Sequence, residues 1–232
     1  MKIVLIHGQN HKGSTYHIGR SIADGIGCEK EITEFFLPKD LGHFCAGCMR
    51  CIDDDSLCPF YAEKRCIMDA VEAADLLIFT TPTYCMRASS PLKAFMELNF
   101  TYWMVHRPRE CMFAKKAVVV STAAGMGTAS AIKDVTLMLS HWGVPEVHPC
   151  GFSVQASGWD AVAQAKKAKI AKTVQKLATH LSADRPPKVG LKTKLLFAMM
   201  RMMQKQGWGS SPAETEYWRQ KGWLGQKRPW KA

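Results

Sequence analysis

The chain has 232 residues, 47% of them hydrophobic and 22% charged, enough for one α/β domain with a full core plus an appendage. Its formal charge of +11 is uneven: eleven Lys and Arg against Glu214 and Glu216 put +9 after residue 184, so the nucleic-acid or membrane reading that a basic protein invites is confined to a tail. No run of about 18 apolar residues occurs, the start MKIVLIHGQN lacks the apolar stretch of a secretory signal, and a cytoplasmic protein is expected, in which nine mostly reduced cysteines favour metal or redox chemistry over a disulfide framework.

In chain order, residues 2–6 (KIVLI) read as a β-branched strand, and His7 to Gly13 form a polar, Gly-bounded turn before a helical pattern that begins near Ser14. EITEFFL (31–37) reads as a second strand. It is followed by CAGCMRCIDDDSLCP, which places Cys45, Cys48, Cys51 and Cys58 in a C-x2-C-x2-C-x6-C spacing ahead of Pro59. That spacing is close to the way bacterial ferredoxins present thiolates to a cubane cluster. A zinc site, a thiol switch and an incidental loop remain alternatives. Cys58 is the better fourth ligand than Cys66, which falls inside the helical pattern of Ala62 to Ala74.

DLLIFTTPTY, from Asp75, is a buried strand that ends in a Pro turn, and Ser90-Pro91 opens a helix with proline at its permitted first position. KAVVVSTAAGMGT is a strand running into a Gly-rich loop, followed by a helix over roughly 129–141, a fifth strand EVHPCGF and a long Ala/Lys helix over about 161–181. Five strands alternating with helices predict a parallel, doubly wound sheet. Two prolines in ADRPPKVG mark a boundary at about residue 184, which divides a domain 1–184 from a basic, Trp- and Met-rich arm 185–232.

In an open sheet of this kind ligands sit beyond the carboxyl ends of the strands. Three loops there read alike. HGQNHKGSTY offers the Gly13 backbone, Ser14 and Thr15 at a helix N-terminus for a phosphate, although it also reads as a plain helix cap. It is neither G-x-G-x-x-G nor the ATP-binding P-loop. TPTYCMR offers Tyr84 and backbone groups to a heteroaromatic ring, and STAAGMG offers Gly125 and Gly127 for close backbone approach. Cys85 lies where a thiol would touch such a ring, and simple packing serves it equally well; Cys28, Cys111 and Cys150 read as core or surface thiols.

HGQNHKGSTY, CAGCMRC with its fourth cysteine, AADLLIFTTPTY with SSPLKAFME, and STAAGMGTA resemble, in order and spacing over about residues 1–155, the NADPH-dependent FMN reductase family and its iron-sulfur flavoprotein branch. The resemblance implies a flavodoxin-like α/β fold with strand order 2-1-3-4-5 and FMN as cofactor. The phosphate would meet Gln9, His11, Gly13, Ser14, Thr15 and Tyr16; the ring would meet Pro82, Thr83, Tyr84, Cys85 and Met86 on one side and Ala124, Gly125, Met126 and Gly127 on the other. Where this family often has Ser-Pro-Arg in the first loop, this chain has Gln9, Asn10 and His11, so other side chains stand in for the usual serine and arginine contacts while the backbone part of the phosphate site is kept. The branch would place a 4Fe-4S cluster on Cys45, Cys48, Cys51 and Cys58.

Two functions follow as expectations. One is an oxidoreductase that passes electrons from NAD(P)H through FMN to a small acceptor, a quinone, nitro compound or metal, or to an iron-sulfur centre; the flavin carries the chemistry, so no side chain is expected to act as acid or base. The other is an electron carrier exchanging single electrons with a ferredoxin-like protein. No nucleic-acid motif stands behind the basic tail. Leu195, Leu196, Met199, Met202 and Met203 fall on one face of a helix among lysines, which suits a membrane surface, a partner groove or, as the expectation adopted, an arm packed on a second subunit of a homodimer. Trp208, Trp218, Trp223 and Trp230 call for burial, and AETEYWRQKGWL is similar to the terminal segment of some members of the reductase family.

Overall fold

The computed structural model describes residues 1–183, 185–208 and 211–231. The boundary expected at residue 184 therefore falls on a position outside the described residues. Six strands form the sheet: β1 (Lys2–His7), β2 (Glu31–Phe36), β3 (Leu76–Tyr84), β4 (Arg87–Ala88), β5 (Lys116–Ala123) and β6 (Glu146–Ser153). Five of them are parallel in the order β2-β1-β3-β5-β6, which is 2-1-3-4-5 once the two-residue β4 is set aside. Register runs across the sheet from Ile3 opposite Ile32 and Leu76 to Lys116 opposite Glu146. β4 was not foreseen: it pairs antiparallel with the end of β3 through Thr83–Ala88 and Tyr84–Arg87, making a hairpin too short to leave a periodic signal.

Successive side chains of β1 enter opposite layers, and both layers are apolar because parallel strands linked through helices are covered on both faces. Val4 and Ile6 join Leu77, Phe79, Val119 and Trp142 in one core, beneath α2 (Tyr61–Ala73), α3 (Ser90–Leu98) and α4 (Thr128–Trp142). Ile3 and Leu5 join Ile78, Val118 and Val120 in the other, beneath α1 (Ser14–Asp24) and α5 (Gln164–Leu181).

The tail forms α6 (Leu191–Gln206) and α7 (Pro212–Gln220), the latter opened by a capping box in which the Ser211 side chain accepts from the Glu214 N–H and Glu214 reaches back. These helices fold onto their own chain. Phe197, Met200, Trp218 and Trp223 bury against Met104 and Phe113 in a third apolar core, with Trp230 packed at its edge. Of the four tryptophans, Trp218 and Trp223 are fully buried and Trp208 is exposed. The five α6 residues expected to share one face divide: Leu196 and Met203 pack against this third core, while Leu195, Met199 and Met202 face outward. No helix among the described residues is long and apolar enough to cross a membrane.

Candidate functional site

The loops after β1, β3 and β5 converge at the carboxyl edge of the sheet. The first ends at α1, whose N-cap Gly13 is extended and makes no side-chain capping bond, and whose first turn holds no acidic residue. Its leading N–H groups and the positive end of its dipole therefore face the loop without a resident anion. Ser14 and Thr15 are buried beneath them. A β-carbon on Gly13 would lie 2.9 Å from His11 Nε2, so the imidazole rests directly against the turn that starts the helix. Lys12, unremarked in the sequence reading, holds its ammonium 5.2 Å from the Tyr16 ring centre and adds a cation to this corner. Tyr16 in turn packs at 5.1 Å from His7. His7 ends β1 with Nδ1 3.0 Å from Thr80 Oγ1 and Nε2 3.3 Å from Glu34, and burial holds its pKa below 6.5, against the opposing pull of Glu34.

The second loop is the β3–β4 hairpin. Pro82, Thr83 and Tyr84 finish β3; Cys85 (φ 47°) and Met86 (φ 64°) form its two-residue turn, both left-handed. Two successive positive φ values are the signature of the type I′ hairpin turn, normally built from Asn and Gly. Cys and Met each carry a β-carbon penalty there, of order 1 kcal/mol. The hairpin is held by Arg87, whose Nε donates to Asp134 Oδ2 of α4 at 2.9 Å, and by Ser89, whose hydroxyl donates to the Gly8 carbonyl at 2.7 Å. The first and second loops are thus bonded together.

The third loop, Ala124–Gly127, meets the hairpin at Gly127. Its φ is +100°, and a β-carbon there would lie 2.8 Å from Thr83 Cγ2 and 2.9 Å from Met86 Sδ. Only glycine meets both demands. Gly125 faces open space, and Met126, like Tyr84, Cys85 and Met86, is exposed. A fourth wall went unread in the sequence: Trp159, from the β6–α5 connection, stacks on His17 at 5.5 Å beside the start of α1. No spacing signal marks it, because the contact joins residues far apart in the chain.

The cysteine loop leaves β2 at the same edge. Cys45, Cys48, Cys51 and Cys58 all line one pocket of about 480 Å³, closed by apolar groups such as Phe60, Leu98 and Phe100. Cys66 is not among its lining residues. All four thiols are unpaired, Cys48 at the exposed rim and Cys51 buried. Burial pushes the Cys51 thiol up, and Lys64 opposes that shift. Among the described residues the one group of three or more possible metal ligands drawn within 4.8 Å is Glu146, His148 and His180, at the far end of the sheet. The four sulfurs are thus spread wider than tetrahedral zinc requires, where Zn–S bonds of about 2.3 Å bring sulfurs to about 3.8 Å. No three of these four sulfurs lie within 4.8 Å of one another, although all four residues line the same pocket. Ser90 opens α3 beside the hairpin and Leu98 at its other end lines the thiol pocket, so the helix axis separates the two regions by about 12 Å at 1.5 Å per residue.

The thiol loop is anchored by the segment Met104–Arg109. Buried Arg107 donates to the carbonyls of Cys51 and Ile52 and, at 3.2 Å, to Asp55; Arg109 donates to the other Asp55 oxygen at 2.8 Å, and Thr101 completes its partners at 2.8 Å. The tail grips the same segment from behind. Gln204 donates to the Val105 carbonyl at 2.6 Å, Trp218 Nε1 to that of His106 at 2.7 Å, and the Tyr217 hydroxyl to that of Pro108 at 2.6 Å. His106 Nδ1 meets buried Glu214 at 2.7 Å. α6 and α7 therefore brace the structure that shapes the cysteine pocket.

Residues 1–158 match the family model described as NADPH-dependent FMN reductase. The chain belongs to that family. Membership makes it an oxidoreductase whose family cofactor is FMN and whose family reductant is a nicotinamide. The fold is similar to that of an FMN-dependent NADH-azoreductase from Bacillus anthracis solved with FMN (TM-score 0.59, 13% identity, covering 79% of this chain and 100% of that one). It is also similar to an NAD(P)H:quinone oxidoreductase from Methanothermobacter marburgensis (TM-score 0.60, 16% identity, 80% and 98% covered) and to an NADH:FMN oxidoreductase (TM-score 0.54, 19% identity, 82% and 95% covered). A search of curated proteins finds no match.

Proposed function

We propose that this chain is an NAD(P)H-dependent FMN oxidoreductase of the iron-sulfur flavoprotein branch. The observation that carries the flavin half is the uncapped N-terminus of α1, which opens among Gly13, buried Ser14 and Thr15, beside two loops fitted to each other at Gly127. Backbone N–H groups of residues 13–16 and the side chains of Gln9, His11, Ser14, Thr15 and Tyr16 hold the phosphate, with Lys12 supplying charge. Pro82–Met86 and Ala124–Gly127 flank the ring. Bound there, FMN supplies the hydride and electron chemistry between a nicotinamide and a small acceptor, the class of quinones, nitro compounds and metals. The Arg87–Asp134 pair and the Ser89–Gly8 bond keep the hairpin in place, so the ring slot is organised before the cofactor arrives. Burial of His7, which packs against Tyr16, disfavours protonation of its imidazole, with Glu34 opposing that shift.

Cys45, Cys48, Cys51 and Cys58 would hold a 4Fe-4S cluster in the cysteine pocket, and that cluster would supply one-electron chemistry beside the flavin site. The sharing of one apolar pocket by all four residues supports this. A cytoplasmic, reducing setting keeps those thiols available for iron. The second reading, a carrier that serves a ferredoxin-like protein, is favoured by the exposure of Cys48 at the pocket rim, where a redox partner has access.

Anaerobic reconstitution followed by iron and sulfide analysis tests the cluster: about four irons per chain are expected, lost in Cys51→Ala while flavin remains. A flavin-loaded protein that takes up no iron leaves a plain FMN reductase. NADPH or NADH should bleach the flavin band; bleaching by reduced ferredoxin alone would replace the reductase with the carrier.

A further inference from the structure

α6 has apolar residues on two opposite sides. Phe197 and Met200 point into the third core. On the other side, Leu191 is 72% exposed, Leu195 61%, Met199 48% and Met202 49%. At 100° per residue these four fall within one stripe about 80° wide, bordered by Lys194 and Lys205 on one flank and Lys192 on the other. The helix carries three lysines, one arginine and no acidic residue. None of the three lysines has an ion-pair partner among the described residues. Trp208, 58% exposed, follows the helix beyond Gly207.

We propose that this face of α6 seats the protein on an anionic membrane surface, with the helix lying flat at the headgroup level. The apolar stripe enters the acyl boundary, the flanking lysines extend to lipid phosphates, and Trp208 takes the interfacial position that tryptophan favours. Charge decides between this occupant and a second copy of the chain. A twofold contact sets the same patch against itself; here it would bring two sets of unpaired lysines, on tails of net +9, into one interface with no acidic residue in α6 to answer them. An anionic bilayer supplies the missing negative charge over a wide area. Because the inner face is already fixed by Trp218 and Trp223, the helix needs no ordering on contact. The surface does not depend on the flavin or cluster assignments.

The test is co-sedimentation of the full chain with vesicles of phosphatidylcholine alone and with about 30 mol % phosphatidylglycerol, in low and high salt, with light scattering for oligomeric state. Binding to the anionic vesicles only, weakened by salt, is expected. Lys192→Glu with Lys194→Glu and Lys205→Glu should weaken it about a hundredfold, and Leu195→Glu with Met199→Glu should remove it while the flavin content and circular dichroism stay unchanged. Quenching of tryptophan fluorescence by bromolipid in the parent, absent in Trp208→Phe, gives a readout that needs no charged variant. Equal binding to both vesicle types, no binding, or binding that survives Leu195→Glu with Met199→Glu overturns the proposal. So does a parent that ignores vesicles but forms a dimer which those two substitutions dissociate, since the occupant is then a second copy.

Discussion

Replacing Arg107 with methionine isolates the anchoring of the cysteine loop. Arg107 is 7% exposed, and its guanidinium serves three acceptors: the carbonyls of Cys51 and Ile52 and the carboxylate of Asp55. Methionine keeps much of the stem and serves none of them. Asp55 retains Arg109 and Thr101, so its charge is not stranded, and the loss falls mainly on the two carbonyls. At about 1.5–3 kcal/mol for each of the two hydrogen bonds from a charged group, the substitution should cost about 3–6 kcal/mol. Since the loop has no regular structure beyond two short 3-10 turns at Arg50–Ile52 and Asp55–Leu57, most of that cost should appear as local opening. The assay is the alkylation rate of Cys51, followed by peptide mass spectrometry in the cluster-free protein, beside a urea titration. A local loss of about 3 kcal/mol raises the open fraction, and with it the labelling rate, about a hundredfold. Arg107→Lys, which keeps the charge and loses the fork, should fall between. If Cys51 is labelled at the parental rate and the urea midpoint does not move, the anchoring argument is wrong.

Three further outcomes are expected. Ser14→Asp with Thr15→Asp places carboxylates at the N-terminus of α1 and should yield colourless protein by absorbance while folding is retained, since acidic residues suit a helix start and repel a phosphate there; a double variant as yellow as the parent moves the phosphate site elsewhere. Gly127→Ala should cost about 1–2 kcal/mol for the left-handed backbone alone and weaken flavin binding in a fluorescence titration, because its β-carbon displaces Thr83 or Met86; unchanged affinity would separate this loop from the ring. Burial alone would raise the Glu72 carboxyl, but hydrogen bonds from Arg65 and Tyr102, with the Arg65 and Arg109 charges, hold it below 4.5. A depressed folded-state pKa gives stability that is present above the unfolded value and lost as pH falls through the folded one. The urea midpoint should therefore drop on acidification below about pH 4.5, by less in Glu72→Gln.

The sequence by itself determined the strand and helix alternation, because apolar β-branched runs such as KIVLI and KAVVV, each followed by a helical pattern, admit few arrangements other than a parallel sheet. It also set out the three edge loops and the cysteine spacing, since these are contiguous in the chain and their glycines, prolines and thiols carry meaning locally. The β4 hairpin stayed hidden because two residues make no period, and its turn uses Cys85 and Met86 where Asn and Gly would have announced it. Only the tertiary structure decided which cysteines share a pocket, that Arg107 reaches Cys51 across more than fifty residues, and that Trp159 stands beside His17. It likewise divided the α6 residues between a buried and an exposed side. The helical period in the tail fixes which residues share a face, but Trp218 and Trp223 return from further along the chain to cover one of those faces, and a contact made by chain return leaves no mark in local sequence.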